Sequence, residues 1–241
     1  KAGQYVTVRL FIDALGFKQP RQYSLSDSST GQYLRISVKN ESPKAEGQDP
    51  GYVSSTLHNK VKENDVIELS APTGNFFLFN PEKTNVLISA GIGLTPMMAM
   101  LNQLLTGNTD PNEKVTLWEK IKANFNKPEP KNPINFIHAV RNSRVHAMKE
   151  TVQDLAKKHD NLNVFVAYEQ TDSKDVLGRD YHAEGRLNLK QLDAKMLPKD
   201  ADYYLCGPIP FMQVQHKALL ELGIPAQNIH SEAFGTGGVA L

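Results

Sequence analysis

Two hydrophobic periods divide this chain. Over the first third, apolar and polar residues alternate in steps of two; beyond about residue 85, short apolar runs alternate with stretches of helical spacing. The alternation over residues 4–12 predicts a half-buried strand, and residues 21–25, 33–38 and 66–71 predict three more. Turn chemistry separates them at Ser28-Ser29-Thr30-Gly31 and at Pro72-Thr73-Gly74. A short helix over 54–61 interrupts the strands, opened by Pro50-Gly51-Tyr52-Val53-Ser54. Short strands with frequent turns predict a small antiparallel barrel or sandwich.

The second pattern starts near Asn85. Strands are predicted at 86–90, 134–140, 162–168, 201–206 and 229–234, and helices at 96–105, 145–158, 189–195 and 209–222. Such alternation implies an α/β doubly wound parallel sheet with helices on both faces. The composition shift at Asn80-Pro81-Glu82-Lys83-Thr84 places the boundary, giving domains 1–83 and 84–241. Residues 106–133 form an inserted excursion. In it Asp110-Pro111-Asn112-Glu113 reads as a helix start, and Val115, Trp118, Ile121 and Phe125 follow at helical spacing. It reads as an added surface helix, or as a docking surface for another domain.

The run Val86-Leu87-Ile88-Ser89-Ala90-Gly91-Ile92-Gly93-Leu94-Thr95-Pro96 reads as a buried strand, a glycine turn and a helix start. Gly91 and Gly93 allow a sharp turn and close approach to a ligand. Thr95 is expected as N-cap and Pro96 as first helical residue. The bare amides of such a start suit a phosphate or pyrophosphate. Pro96 stands where the third glycine of the Gly-x-Gly-x-x-Gly fingerprint would fall, so the turn alone also fits any α/β domain.

Composition narrows the choice. The chain has 241 residues, a hydrophobic fraction of 40% and a net charge of +1, so no global field draws it to nucleic acid or an anionic membrane. No apolar run approaches spanning length and no secretory pattern opens the sequence. The single cysteine, Cys206, excludes an internal disulfide and fits a cytoplasmic location. The histidines, among them His58, His138 and His230, lack metal-ligand spacing, so no metal site is expected. The chain enters a strand pattern with almost no lead-in, which reads as a piece of a longer protein.

Arg21-Gln22-Tyr23-Ser24 offers a cation, an aromatic ring and a hydroxyl on one strand; alternation puts Arg21 and Tyr23 on one face and Gln22 and Ser24 on the other. Taken singly, this is an ordinary strand with an exposed arginine; Cys206 and Phe234 read as core, and Glu232 as a surface carboxylate. The order of motifs changes that. Arg21-x-Tyr23-Ser24, Gly51-Tyr52-Val53-Ser54, Gly91-x-Gly93-x-x-Pro96, Cys206-Gly207-Pro208 and Glu232-Ala233-Phe234-Gly235 follow one another along the chain. The set resembles the ferredoxin–NADP reductase superfamily. Gly3-Gln4-Tyr5, Arg21-Gln22-Tyr23-Ser24-Leu25, Gly91-Ile92-Gly93-Leu94-Thr95-Pro96-Met97 and Leu205-Cys206-Gly207-Pro208 most resemble the reductase part of flavohaemoglobins. The resemblance covers nearly everything except 106–133.

It implies roles, residue by residue. Arg21 pairs with the FAD pyrophosphate, Tyr23 stacks on the isoalloxazine with Gln22 beside it, and Ser24 lies near flavin N5. Tyr5 also touches the flavin, Val38 and Lys39 line its ribityl side, and Gly51, Val53 and Ser54 present helix-start amides to the pyrophosphate. Gly91, Ile92, Gly93, Leu94, Thr95 and Pro96, with Cys206, Gly207 and Pro208, hold NAD(P)H. Phe234 and Gly235 cover the flavin face, and Ser24, Cys206 and Glu232 flank the transfer point as its catalytic residues.

The implied reaction takes hydride from NAD(P)H to FAD and passes single electrons to haem in a globin domain absent from this chain. The parent protein would thereby convert nitric oxide to nitrate with O2. Two alternatives stand beside it: a stand-alone NAD(P)H-flavin or cytochrome reductase with another acceptor, and a non-catalytic nucleotide-binding interaction module. The chain departs from the family at Thr236, where proline is usual, and lacks the barrel strands that precede Gly3, so the FAD-binding barrel is expected to be truncated. Arg141, Arg144, Arg179 and Arg186 are candidates for a 2′-phosphate partner, which leaves NADH or NADPH open.

Overall fold

In a computed structural model that describes residues 1–28, 32–43, 45–107 and 132–233, the two periods become two sheets. Strand β1 (Tyr5–Ile12) turns Val6, Val8, Leu10 and Ile12 inward, as its alternation requires. It pairs antiparallel with β2 (Phe17–Ser24) along its whole length, from Tyr5↔Ser24 to Ile12↔Phe17. The strand predicted at 21–25 therefore starts earlier, because Gly16, at φ 72, closes a tight hairpin after Ile12. Pro20 is tolerated because β2 is an edge strand in the order β2-β1-β3.

Two strand expectations shrink. Residues 33–38 make only one bridge, Leu25↔Ile36. Ser26 N–H donates to Arg35 O at 2.9 Å, and beside this backbone bond the Ser26 hydroxyl donates to the same carbonyl and accepts from Ser37 Oγ at 2.9 Å. Residues 66–71 reduce to β3 (Glu68–Leu69), with Val66 fully outside the core and the Ser70 hydroxyl accepting from Thr7 N–H. The described residues thus show a small three-stranded antiparallel sheet. The predicted helix over 54–61 is α1 (Tyr52–Asn59), which starts at Gly51.

The larger sheet is parallel and six-stranded, in the order β7-β6-β5-β4-β8-β9. Its strands are β4 (Asn85–Ala90), β5 (Ile134–Val140), β6 (Leu162–Tyr168), β7 (Ala183–Glu184), β8 (Asp202–Gly207) and β9 (Ile229–Ala233). Helix α2 (Leu94–Thr106) follows β4, α3 (Lys149–Lys158) follows β5 and α4 (Ile209–Glu221) follows β8. From β4 the order runs outward one way through β5, β6 and β7, and the other way through β8 and β9. The switch between β4 and β8 is where open α/β sheets bind ligands, outside the carboxyl ends of the strands.

The α2 start corrects the capping expectation. A 3-10 turn at Gly91–Gly93 precedes the helix, Gly93 is its N-cap, and Thr95 lies inside the first turn with its hydroxyl donating to Ile92 O. Pro96 is the third helical residue, a place where its missing N–H has no helical partner to lose. The helix predicted over 145–158 splits into a 3-10 turn (Ser143–Val145) and α3, with Met148 between them at φ 55. The segment at 189–195 forms two 3-10 turns, Leu189–Gln191 and Ala194–Met196, each capped by the side chain before it, Asn188 or Asp193. Most of the excursion 106–133, including its predicted helix, lies outside the described residues, as do Phe234 and Gly235.

One apolar cluster joins the sheets. Ala2, Val6, Leu25, Phe76 and Leu78 pack with Leu87, Tyr204 and the α2 residues Leu94, Met97 and Met98. A second cluster under α4 covers the other face of the parallel sheet. The boundary expected after residue 83 is thus crossed by shared core, and Lys83 is tied back to Asp202 at 2.7 Å.

The loop before β7 hangs on Asp180, which is 5% exposed. Its carboxylate accepts from Arg179 at 2.7 Å, Lys149 at 2.6 Å and Val176 N–H at 2.8 Å. Arg179 first, then Lys149, holds this carboxyl well below the usual carboxylate range. A depressed pKa stabilises the fold above the unfolded value and loses that contribution as pH falls through the folded one. Asp180→Asn should lower stability by about 2 kcal/mol at neutral pH, the scale of hydrogen bonds to a charged group. Urea denaturation at pH 7 and again at low pH checks this: the gap between variant and wild type closes on acidification.

Candidate active site

A cavity of about 250 Å³ opens where β2, α1 and the β4–α2 turn meet. Arg21, Gln22, Tyr23 and Ser24 all line it. Their unbroken register with β1, from Val8↔Arg21 to Tyr5↔Ser24, is that of a regular strand, and all four reach the cavity at its end. Tyr23 also packs against the Val8 cluster, and burial, opposed by Arg21, raises its phenol pKa. Arg21 Nη1 donates to Pro20 O at 2.7 Å and Gln19 Oε1 at 3.3 Å. Among the described residues no carboxylate forms an ion pair with Arg21. Ser24 Oγ is buried without a hydrogen-bond partner. A buried hydroxyl of this kind costs free energy until a ligand or water meets it.

The opposite wall comes from the α1 start. Gly51, Val53 and Ser54 line the cavity, and Ser54 Oγ donates to Gly51 O at 2.9 Å. A Cβ on Gly51 would lie 2.6 Å from Ser54 Oγ and 2.8 Å from Glu41 Cβ, so the turn needs glycine there. Ser37, Lys39 and Glu41 add a polar rim, with Lys39 and Glu41 paired at 2.8 Å. Sequence reading missed Ser37 and Glu41, which lie in a segment without regular structure. Val38 is not among the lining residues; its carbonyl accepts from His58 Nε2 at 2.7 Å. Ile92 and Thr95 close the cavity from the parallel sheet, while Leu94 and Pro96 are buried beneath.

A second group gathers at the switch. A Cβ on Gly93 would stand 2.3 Å from Cys206 O, and one on Gly207 would meet Phe211 and Ala90, so the ends of β4 and β8 touch through backbone. Cys206, Gly207 and Pro208 lead straight into α4 with Pro208 as its N-cap. Cys206 is fully buried; desolvation first and Glu232 second push its thiol pKa well up. Glu232, in register with Cys206, has its carboxyl pushed up to about 7 by burial, and its Oε2 is buried and unpartnered. Its Oε1 lies 3.8 Å from the point where a Gly74 Cβ would be, beside the Tyr5 ring. Tyr5, Gly74, Cys206 and Glu232 therefore converge at the junction of the two sheets.

Among the described residues no cluster of His, Cys, Asp and Glu is arranged to hold a metal ion, and no helix is long and apolar enough to cross a membrane. The four arginines considered for a 2′-phosphate are mostly engaged. Arg144 pairs with Asp172 at 2.7 Å, Arg179 with Asp180, and Arg186 sits 3.9 Å from Glu169.

These features match known proteins. Residues 87–217, more than half of the chain, match the family model of the oxidoreductase NAD-binding domain. A flavohemoprotein of Chromobacterium violaceum is 46% identical over 238 residues, covering 98% of this chain and 53% of that protein. The chain thus spans about half the length of the curated relatives it matches. The flavohem-like FAD/NAD binding domain of nitric oxide dioxygenase from Vibrio cholerae superposes with a TM-score of 0.78 at 35% identity, covering 98% of this chain and 85% of that one. The flavohemoglobin of Malassezia yamatoensis, solved with bound FAD and heme, superposes with a TM-score of 0.70 at 26% identity over 98% of this chain and 52% of that one. With sequence similarity along almost its full length and the same fold, this chain belongs to the oxidoreductase NAD-binding domain family, in its flavohemoprotein reductase branch.

Proposed function

We propose that this chain is an NAD(P)H-dependent FAD oxidoreductase that feeds electrons to a haem globin domain of the same parent protein, which converts nitric oxide to nitrate with O2. One observation carries the reading: the Arg21–Ser24 strand end, the glycine start of α1 and the β4–α2 turn share one cavity. The residues present fit FAD. The orphan Ser24 hydroxyl offers a hydrogen bond, Tyr23 an aromatic face, and Arg21 a guanidinium that no described carboxylate has taken. The α1 start at Gly51, Val53 and Ser54 lines the same cavity, so its first amides would meet a phosphate there. When bound, the flavin accepts a hydride from the nicotinamide and gives up electrons singly.

The protein's own part is positioning. Residues 1–83 hold the flavin, and residues 84–241 hold the dinucleotide over the Gly91–Gly93 turn. Ser24, Cys206 and Glu232 border the point where the two rings meet. Cys206, held as a neutral thiol, supplies a small apolar wall, and Glu232 supplies a proton-exchanging carboxyl. The reading places the protein in the cytoplasm, where reduced nicotinamide is available.

Titration with FAD followed by anaerobic NADH tests it. Visible flavin bands that bleach on NADH addition support the reading; a chain that binds no flavin even in the full-length protein overturns it. Arg21→Ala should weaken FAD binding about tenfold or more, because a charge-assisted pyrophosphate contact is lost, while the fold is retained. Fluorescence quenching of added FAD measures that change.

A further inference from the structure

The carboxyl ends of β4, β5 and β6 carry four polar side chains that the reading above leaves without a task. Ser89 Oγ lies 2.8 Å from His138 Nδ1, and His146 Nδ1 lies 2.8 Å from the Tyr168 hydroxyl. The two imidazole rings are 5.5 Å apart between centroids, so the set runs Ser89–His138–His146–Tyr168 across three strands. Ser89, His138 and Tyr168 are at most 1% exposed. Burial lowers both imidazoles, His138 to about 3 with His146 as the second cause and His146 to about 4 with Lys149 as the second cause, so each is neutral at physiological pH. A neutral ring has one donor and one acceptor, and each ring places its Nδ1 on a hydroxyl.

Burying such groups costs more than filling the same space with leucine or phenylalanine. The nearby Met148, at φ 55, adds backbone strain that a non-glycine residue seldom accepts. Both costs fall at one place. Ser89 immediately precedes Ala90 and the Gly91 turn, and its register line continues from His138 through Ser89 and Cys206 to Glu232. His146 belongs to the β5–α3 connection, residues 141–148, which borders the crevice at the carboxyl end of β5. The backbone bonds made by Val145, His146 and Ala147 stay inside that connection, to Asn142, Ser143 and Val145. Gln170 N–H holds only its first residue, Arg141, through the carbonyl at 2.9 Å, and the tie from Arg144 to Asp172 is an exposed ion pair and holds little. The buried set therefore anchors this wall of the crevice to the sheet.

We infer that Ser89, His138, His146 and Tyr168 are positioning residues for the nicotinamide dinucleotide, holding the β5–α3 connection at the Gly91–Gly93 turn so that the crevice is formed before the ligand arrives. This rests on the dinucleotide reading proposed above. A preformed crevice spares the ligand the ordering of its own site.

The test uses the FAD-loaded chain with ferricyanide as acceptor. Steady-state NADH kinetics, NAD+ binding by calorimetry and FAD affinity are compared for wild type, Tyr168→Phe, His138→Leu and His138→Asn. Tyr168→Phe deletes one oxygen, and His138→Asn returns an amide close to the place of Nδ1. Tyr168→Phe and His138→Leu should raise KM for NADH and Kd for NAD+ about tenfold, the scale of one lost hydrogen bond. The same variants should keep kcat within about twofold, as loss of uniform binding does, and leave FAD affinity unchanged. His138→Asn should recover most of the loss. Should His138→Leu fail to fold, Tyr168→Phe carries the comparison alone. Variants that melt earlier yet keep KM and Kd would overturn the inference and make the set plain core. A wild-type chain that binds FAD but neither binds NAD+ nor oxidises NADH would instead overturn the functional reading itself, and this inference with it.

Discussion

Gly93→Ala will damage both stability and turnover. The new Cβ would lie 2.3 Å from Cys206 O, 2.6 Å from its carbonyl carbon and 2.8 Å from Gly207 N. All three are backbone atoms of a fully buried strand, paired with β4 on one side and β9 on the other, so no side chain can swing aside. Relief requires β4 and β8 to part at the switch point. The expected loss of stability is about 3 kcal/mol, the upper range for overpacking a core. The parting moves the turn that would carry the dinucleotide, and a displacement of about 1 Å at such a site costs on the order of 100-fold in rate. Gly91→Ala is the control: its Cβ meets nothing within 4 Å, and only the φ of 54° resists it. That residue should lose about 1–2 kcal/mol, the scale of one left-handed non-glycine residue. Urea denaturation and the rate of NADH-driven flavin reduction measure both variants. Equal effects from the two would contradict the backbone contact.

The second large effect concerns Glu232 and pH. Burial raises its carboxyl to about 7, and Oε2 has no partner to stabilise the charged form. Between the ordinary glutamate value and 7, the unfolded chain releases this proton while the folded one keeps it. The folded state binds more protons there, so Glu232's contribution to stability is greatest below the ordinary glutamate value. It declines as pH rises to about 7 and is flat beyond. Glu232→Gln, neutral at every pH, should remove that decline. On the proposed function, the same titration would fall beside the point where hydride leaves a nicotinamide and positive charge develops on its ring. An ionised carboxylate beside the crevice favours that charge, so flavin reduction should speed up through an apparent pKa of about 7. Glu232→Gln should be slow throughout, by about 100-fold at pH 8, the scale of one lost electrostatic group at a reacting centre, with a flat profile. Stopped-flow reduction from pH 5.5 to 9 checks it; an unchanged step in the glutamine variant would assign the titration to another group.

Legibility in the sequence followed the range of the interactions concerned. The parallel strands were readable because each is a run of buried residues whose period and length allow few alternatives, as in Val86 to Ala90 and Ala201 to Cys206. Hairpin β1–β2 was only half readable: β1 alternates cleanly, whereas Phe17 to Pro20 are exposed or half-buried edge residues and carry no inward pattern. The segment at 33–38 looks like a strand by propensity, yet its pairing stops at the Leu25 bridge and the Ser26–Arg35 backbone bond, with side-chain bonds of Ser26 and Ser37 beside them. Thr95 looked like a cap by type, but the 3-10 turn moved the helix start back to Leu94.

The candidate site was legible as residue types and not as an arrangement. Arg21, Tyr23, Ser24, Gly51, Ser54, Gly91, Gly93, Cys206 and Glu232 could be chosen from spacing and family resemblance, since short motifs preserve local backbone geometry. Ser37 and Glu41 could not, because they join the cavity through a segment with no regular structure. Nor could His138, which alone in the sequence is one histidine in an apolar strand; only the in-register neighbours Ser89 on β4 and Val166 on β6 give it a place in a buried row.

The sequence by itself determined the two kinds of sheet, the order of strands and helices, and the glycine turns, because these depend on residues within a few positions of one another. The tertiary structure alone decided which strands became neighbours, that Gly93 faces the Cys206 backbone, that Glu232 reaches Gly74 and Tyr5, and that burial brings its carboxyl to about 7. Those outcomes depend on solvent exclusion and contact between segments far apart along the chain, and no local pattern encodes either.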